Sequence, residues 1–426
     1  MKSIIKYSLF TMALMFVMNI SAQDRKLDNY REPDKNGIND FEAVKDSAST
    51  FKDLKVRLGG ASTLQYQSLT QDNTSSTITL TDLGKNFNLA TANLDLDVAL
   101  YDGVRMHLRT YLSSQHHTEA YVKGGYIQID KLDFISEGFA SDLMKYLRIK
   151  IGHMENNYGD GHFRRSDNAM ALHNPFVGNY IMDAFTTEVG AEIYYFNNGW
   201  IGMLGFTNGK LNQNVTDKDQ TSPSFLAKLG YDKQINDDFR FRLTGSLFHS
   251  AHNNARGIYL YSGDRAGSRY YTVMNGVDGG GASVGDGFRA GRINPDLKNE
   301  MTAFMINPFF KYQGLEFFGI IESAKGKKLG ETDERTWNQF SGELIYRFGD
   351  NEKVYLGTRY NTLNGELTSG DDVKVNRFQL TAGWFMTKNI LMKAEYVSQK
   401  YKDYPIGDIH EGGEFNGLVL EAAISF

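Results

Sequence analysis

From residue 56 to the C-terminus the chain alternates apolar and polar side chains in one short segment after another, and few folds can use that pattern so many times. Residues 88–100 show it plainly. Ala90, Ala92, Leu94, Leu96, Val98 and Leu100 fall on one face, with Thr91, Asn93, Asp95 and Asp97 on the other. A strand's period of two puts these sets on opposite sides of a sheet. Similar segments lie at 56–66, 104–112, 121–130, 146–154, 186–195, 200–206, 224–231 and 239–248. The second half adds 301–312, 315–322, 337–348, 354–360, 377–385, 390–399 and 415–426. The expected total is therefore about sixteen strands, many near the roughly 9–11 residues that cross a bilayer at a tilt. Segments 121–130 and 301–312 alternate poorly, and Pro308 weakens the second because proline donates no ladder hydrogen bond.

The connections alternate in length. Tight turns carry the Asn, Asp and Gly that hairpins need: Tyr101-Asp102-Gly103, Asn197-Asn198-Gly199, Gln313-Gly314, Gly349-Asp350-Asn351 and Thr387-Lys388-Asn389. Between them stand long connections at 69–87, 155–185, 207–223, 249–300, 323–336, 361–376 and 401–414. A bacterial outer-membrane barrel segregates its loops this way, with short turns on the periplasmic rim and long loops outside. The connection 131–145 is long yet lies on the turn side, and 134–144 reads as a short helix there.

Composition agrees: 43 Gly and 52 Tyr and Phe (24 and 28) accompany only 6 Pro, and the mean hydropathy is −0.43. After the N-terminus there is no apolar run of the length a membrane helix needs. Residues 1–22 read as a signal peptide, with Lys2 and Lys6 before an apolar run and Ile20-Ser21-Ala22 as the cleavage site. Its removal takes the formal net charge from −5 to −7, which gives no support to nucleic-acid binding. The absence of Cys excludes disulfides, thiolate metal sites and lipid attachment through cysteine.

The expected fold is all-β: a transmembrane antiparallel β-barrel in the outer membrane, with a short periplasmic N-terminal segment. Residues 23–52 form that segment and 53–426 the barrel. Aromatics at Tyr101, Tyr195, Trp200, Tyr231, Phe239, Tyr312, Phe348, Tyr360, Trp384 and Tyr396 fall where strands meet the headgroups. In lipid no sheet edge is tolerated, so 415–426 must pair with 56–66. The outward set of that last strand, Leu418, Leu420, Ala422, Ile424 and Phe426, is apolar to its final residue.

With apolar faces outward, the same parity turns a charged set inward. It includes Arg57, Arg105, Arg109, Arg148, Lys150, Lys228, Arg240, Arg242, Arg347, Arg359, Arg377 and Lys393. The acids are Asp95, Asp97, Glu188, Glu192, Glu316, Glu322, Glu343, Glu395 and Glu421. Most of these charges are expected to pair across strands. Arg105, Arg109, Arg148 and Lys150 form a basic cluster that favours anions. If the 155–185 loop folds inward, Arg164 and Arg165 are its candidates for contacting a passing anion; the alternative is an external loop with solvated arginines.

The stretch 158–195, with Phe163-Arg164-Arg165-Ser166-Asp167-Asn168 and Asp183-Ala184-Phe185-Thr186-Thr187-Glu188-Val189-Gly190, resembles porins of the phosphate-selective porin superfamily and its relatives. So does Gly383-Trp384-Phe385-Met386-Thr387-Lys388-Asn389-Ile390, followed by the run from Lys393 to Tyr401. The resemblance implies sixteen strands, a homo-trimer in the lipid bilayer, and passive diffusion of small polar or anionic solutes with no cofactor. Its phosphate-favouring members are similar in carrying lysines at the constriction. Loop 155–185 has none, so a general porin is the expectation.

Other readings are weaker. Residues 34–42 space oxygen ligands somewhat like a calcium loop but lack the full EF-hand spacing, and no metal site is expected. His107, His116 and His117 lie near one rim. Ser246 and His249 are the nearest nucleophile–base pairing, but parity turns Ser246 inward and no acid stands nearby, so no enzyme is expected. A substrate-specific channel serving a partner complex is the alternative, with Arg256, Arg265, Arg269, Arg289 and Arg292 of the 249–300 loop as a docking or ligand site; a barrel-embedded lipid hydrolase is the remaining one.

Overall fold

A computed structural model describes residues 26–112, 120–166, 170–211, 219–255, 257–262 and 270–426. The signal peptide, His116, His117, Asp167, Asn168, Arg256, Arg265 and Arg269 lie outside the described residues. The strands of the first half are β1 (Lys55–Asp72), β2 (Ile78–Leu80), β3 (Asn86–Tyr101), β4 (Val104–Leu112), β5 (Ala120–Ile129), β6 (Leu147–Glu155), β7 (Thr187–Asn197), β8 (Trp200–Thr207), β9 (Ser224–Gln234) and β10 (Phe239–Ser250). They continue as β11 (Asn275–Asp278), β12 (Ser283–Gly285), β13 (Glu300–Tyr312), β14 (Leu315–Lys327), β15 (Arg335–Phe348), β16 (Val354–Glu366), β17 (Asp372–Thr387), β18 (Ile390–Lys402) and β19 (Glu414–Ser425). Sixteen of them close into one antiparallel barrel, while β2, β11 and β12 make a separate small sheet.

Every expected strand is present, and β4 has the expected bounds. Closure is as expected too. β1 pairs with β19 from Ala61↔Ser425 to Asp72↔Glu414, and Phe426 exchanges backbone hydrogen bonds of 3.0 and 3.1 Å with Gly60. Outward residues such as Leu94, Leu204, Leu229, Phe304, Leu356 and Leu418 are exposed, as a lipid-facing band requires. The turn between β7 and β8 sets Asn198 and Gly199 at φ 47° and 91°, the left-handed pair a two-residue hairpin demands.

Pro308 stays inside β13 because its neighbours compensate. The β13–β14 ladder runs to Ile306↔Ile321 and resumes at Phe309↔Phe318. In the gap the Asn307 side-chain amide donates to the Gly319 carbonyl at 3.0 Å. A Cβ on Gly319 would stand 2.9 Å from the proline ring, so the residue facing Pro308 must be glycine. The segment expected to be a helix at 134–144 forms one only at Ser141–Met144.

On the loop side, His410 joins two connections. Its Nδ1 lies 2.9 Å from Asp408 and its Nε2 3.1 Å from Asp286. Burial lowers its pKa, but the Asp286 and Asp408 carboxylates outweigh this and raise it to about 9. A raised pKa gives stabilisation that is full below the unfolded value of about 6.5 and is lost as pH rises through about 9. Protease cleavage within 270–299 is therefore expected to stay constant below about pH 6, to accelerate progressively between about pH 6.5 and 9, and to level off above that. In His410→Phe, which cannot titrate, the cleavage rate should carry no such step.

Candidate functional site

A barrel this wide can hold an aqueous lumen, but three chain segments fill much of it. The described parts of loop 156–186 cross the interior with one short helical turn at Gly161–Arg164, so side chains of the wall satisfy much of its backbone. The Val177 amide donates to Glu395 at 2.7 Å, Ile181 to Asn361 at 2.7 Å and Met182 to Gln339 at 2.8 Å. Carbonyls accept from Arg359 (Gly178, 2.8 Å), Arg377 (Asn179, 2.8 Å) and Lys393 (Ala171, Asn174 and Phe176, 2.9–3.1 Å). These inward charges of β15–β18 are spent on holding a loop. At one end, Asp160 accepts from Arg242 (2.8 Å twice), Thr244 (2.7 Å) and Lys228 (3.0 Å). Burial raises the Asp160 pKa, but Arg242 and Lys228 hold it far below the usual carboxylate range.

Arg164 and Arg165 are consumed inside this structure. Arg164 binds Glu316 at 2.8 Å, Glu343 at 3.1 Å and the Asn39 carbonyl oxygen of its side chain at 2.8 Å. Arg165 binds Asp183 at 2.6 Å, which Arg292 also reaches at 2.6 Å. All three arginines are buried.

The N-terminal segment, expected on the periplasmic side, enters the barrel from its turn side. Phe41 is buried against Phe309 and Phe318. Glu42 pairs with Arg242 at 2.9 Å and Lys228 at 3.4 Å. Asp34, Asn36 and Asn39 do not converge. Asp34 caps the turn at the Asn36 amide, and Asn39 reaches Glu316 at 2.7 Å. Among the described residues no three His, Asp or Glu side chains could hold a metal ion. A third segment, from the β10–β13 connection, adds Leu260, Tyr261, Tyr271, Val273 and Met274 to an apolar core inside the barrel.

Between the β4–β7 wall, the N-terminal segment and loop 156–186 a chamber of about 140 Å³ stays open. Four of the expected residues line it: Arg105, Arg109, Arg148 and Lys150. Three of these cations are paired with acids, two across strands and one from a turn. Arg109 is bidentate to Asp95 at 2.7 Å, Arg105 is 3.5 Å from Asp97, and Arg148 is 2.9 Å from Asp130. Lys150 differs. Among the described residues it has no ion pair, and its ammonium faces the rings of Tyr126 (4.7 Å) and Tyr194 (5.7 Å). Glu192, directly opposite Lys150 in the β6–β7 register, instead binds the Asn157 amide at 3.1 Å and the Tyr194 hydroxyl at 2.5 Å.

The other expected residues lie elsewhere. Glu188 is bound to the Thr207 hydroxyl, Arg240 is bidentate to Asp232 at 2.7–2.8 Å, and Arg242 joins Asp160, Glu42 and Asp232. Sequence reasoning missed Arg31, Lys123, His162 and His173, which also line the chamber. Lys123 turns inward because the β4–β5 register shifts between Arg109 and Thr110, placing it in a bulge that breaks strand parity. His107 is 2.8 Å from Asp97. Ser246 is buried, whereas His249 is exposed and bonded to Thr302, so the two do not form a catalytic pair.

No family model and no curated protein sequence matches the chain. Solved structures match its fold. The anion-selective porin of Comamonas acidovorans is 11% identical with a TM-score of 0.56, covering 88% of this chain and all of its own. The outer-membrane channel DcaP of Acinetobacter baumannii is 10% identical at 0.53, covering 89% of this chain and 100% of its own. OmpT of Vibrio cholerae, in a trimer form, is 12% identical at 0.52, covering 88% of this chain and 100% of its own. The fold is that of a porin-like outer-membrane β-barrel.

Proposed function

We propose that this protein is a porin-type channel passing small anionic solutes, assembled as a homo-trimer in the outer membrane. The observation that carries this reading is the chamber. Arg31, Arg105, Arg109, Lys123, Arg148 and Lys150 line it against only Glu32, Glu42 and Glu155. Three of these cations sit in ion pairs with acids of the barrel, whereas Lys150 has no ion pair among the described residues. Basic rings of this kind favour anions. The lysine-free inward loop gives no separate support for phosphate over other anions. Purified protein in planar bilayers with a KCl gradient is expected to give a reversal potential of the anion-preferring sign. A potential of zero or of the opposite sign would refute the anion reading. Cross-linking in detergent checks the trimer.

A further inference from the structure

The N-terminal segment spans the turn-side mouth from one wall to the other. On one side the Lys35 amide donates to Lys388 at 2.8 Å, and its ammonium reaches Asn351, both in turn-side hairpins. On the other side Lys45 binds Asp130 at 3.1 Å and Arg148 donates to the carbonyls of Ala43 and Val44 at 2.6 and 2.9 Å. Between these anchors Phe41 and Glu42 reach the interior. A single short turn, Lys35–Gly37, is all the regular structure the segment has.

The buried cations that grip this segment each keep an acidic partner without it. Arg242 keeps Asp160 at 2.8 Å and Asp232 at 3.1 Å; Lys228 keeps Asp160 at 3.0 Å. Arg164 keeps Glu316 at 2.8 Å, and Arg148 keeps Asp130 at 2.9 Å. An ion pair broken by removing one partner is strongly destabilising because it strands a buried charge. Withdrawal here strands none of these, and Glu42 would pass into water. Burial opposes the Glu42 charge, but Arg242 and Lys228 hold its pKa at about 2, so the grip is ionic at neutral pH. A segment needed to complete the barrel would leave unpaired charges behind.

We propose that residues 26–46 form a detachable plug that closes the turn-side mouth and opens the chamber to that side when it withdraws. The chain contains no cysteine, so an engineered pair is the only thiol couple present. Lys35→Cys with Lys388→Cys places the thiols on residues joined by a backbone hydrogen bond, within disulfide reach. Three proteins are compared in planar bilayers after heat-modified migration has shown a folded barrel: the mature chain, the chain lacking 26–46, and the cysteine pair. Deletion is expected to raise unitary conductance severalfold. The oxidised pair should stay in the lowest conductance level, with reductant restoring the unmodified chain's behaviour. If deletion causes trouble in folding, the full-length Phe41→Ala, Glu42→Gln variant should show more frequent openings. A folded deletion variant with unchanged conductance, or none, overturns the plug. So does an oxidised pair that opens as often as the reduced one. Larger conductance without anion preference would leave the plug standing and remove the anion reading.

Discussion

Replacing Glu343 by alanine is expected to release the inward loop from the barrel wall. Its carboxylate takes Arg359 at 2.7–2.8 Å, Arg164 at 3.1 Å and the Tyr180 hydroxyl. Arg164 retains Glu316, but Arg359 would keep only neutral partners: Gly178, Asn174 and Gln379. Arg359 is fully buried, its guanidinium 4.0 Å from the Phe176 ring and 4.4 Å from the Tyr180 ring, so water cannot take the place of the lost charge. Removing one partner of a buried pair costs about 3–5 kcal/mol. The expected result is a lower urea midpoint and faster protease cleavage within 170–185. Glu343→Gln, which keeps the shape and one acceptor, should fall between the two. An unchanged midpoint and cleavage rate would show that the loop is held by other contacts. By the same logic Arg165→Ala should leave ion preference unchanged, because Arg165 is already neutralised by Asp183 away from the chamber.

Reversing the charge of Lys150 should have the largest effect on selectivity. A unit charge about 5 Å from a passing ion is worth roughly 1–2 kcal/mol at an effective dielectric of about 40–80. Reversal in Lys150→Glu doubles that, which at about 1.4 kcal/mol per tenfold is a shift of roughly thirtyfold or more in the anion-to-cation permeability ratio. Recordings belong at low ionic strength, where the screening length exceeds about 10 Å. Arg109→Gln is the contrasting variant: it strands Asp95, so it should change stability as well as selectivity. If Lys150→Glu leaves the reversal potential unmoved, the chamber does not lie on the conduction path.

The fold was legible because lipid imposes one rule on every strand. Apolar side chains outward at a period of two, tight Asn-Gly turns and an aromatic-ended last strand are local signals, and each survives in the structure. The β5 bulge was not legible, since one unpaired residue resets parity without leaving a mark in composition; Lys123 was lost for that reason. The inward charges were assigned to the correct side of the wall, but parity says nothing about what stands opposite them. Asp95 cancels Arg109 directly across the register, Asp97 lies opposite His107 and reaches Arg105 on the diagonal, and Asp130 reaches Arg148 from beyond the end of its strand. Phe309, Phe318, Trp337 and Val375 also face inward, where they pack against the loops and the N-terminal segment rather than water.

The sequence by itself therefore determined a closed outer-membrane barrel of sixteen strands, with Phe426 joining the last to the first. The cause is short-range: hydrogen-bonding needs and the apolar period act within each hairpin. Only the tertiary structure decided what occupies the lumen. The N-terminal segment and loop 156–186 are held by contacts between residues more than a hundred positions apart, such as Arg164 with Glu316 and Asn39. No local pattern encodes which charges those contacts consume, or that Lys150 is left facing the chamber among the described residues with no acid of its own.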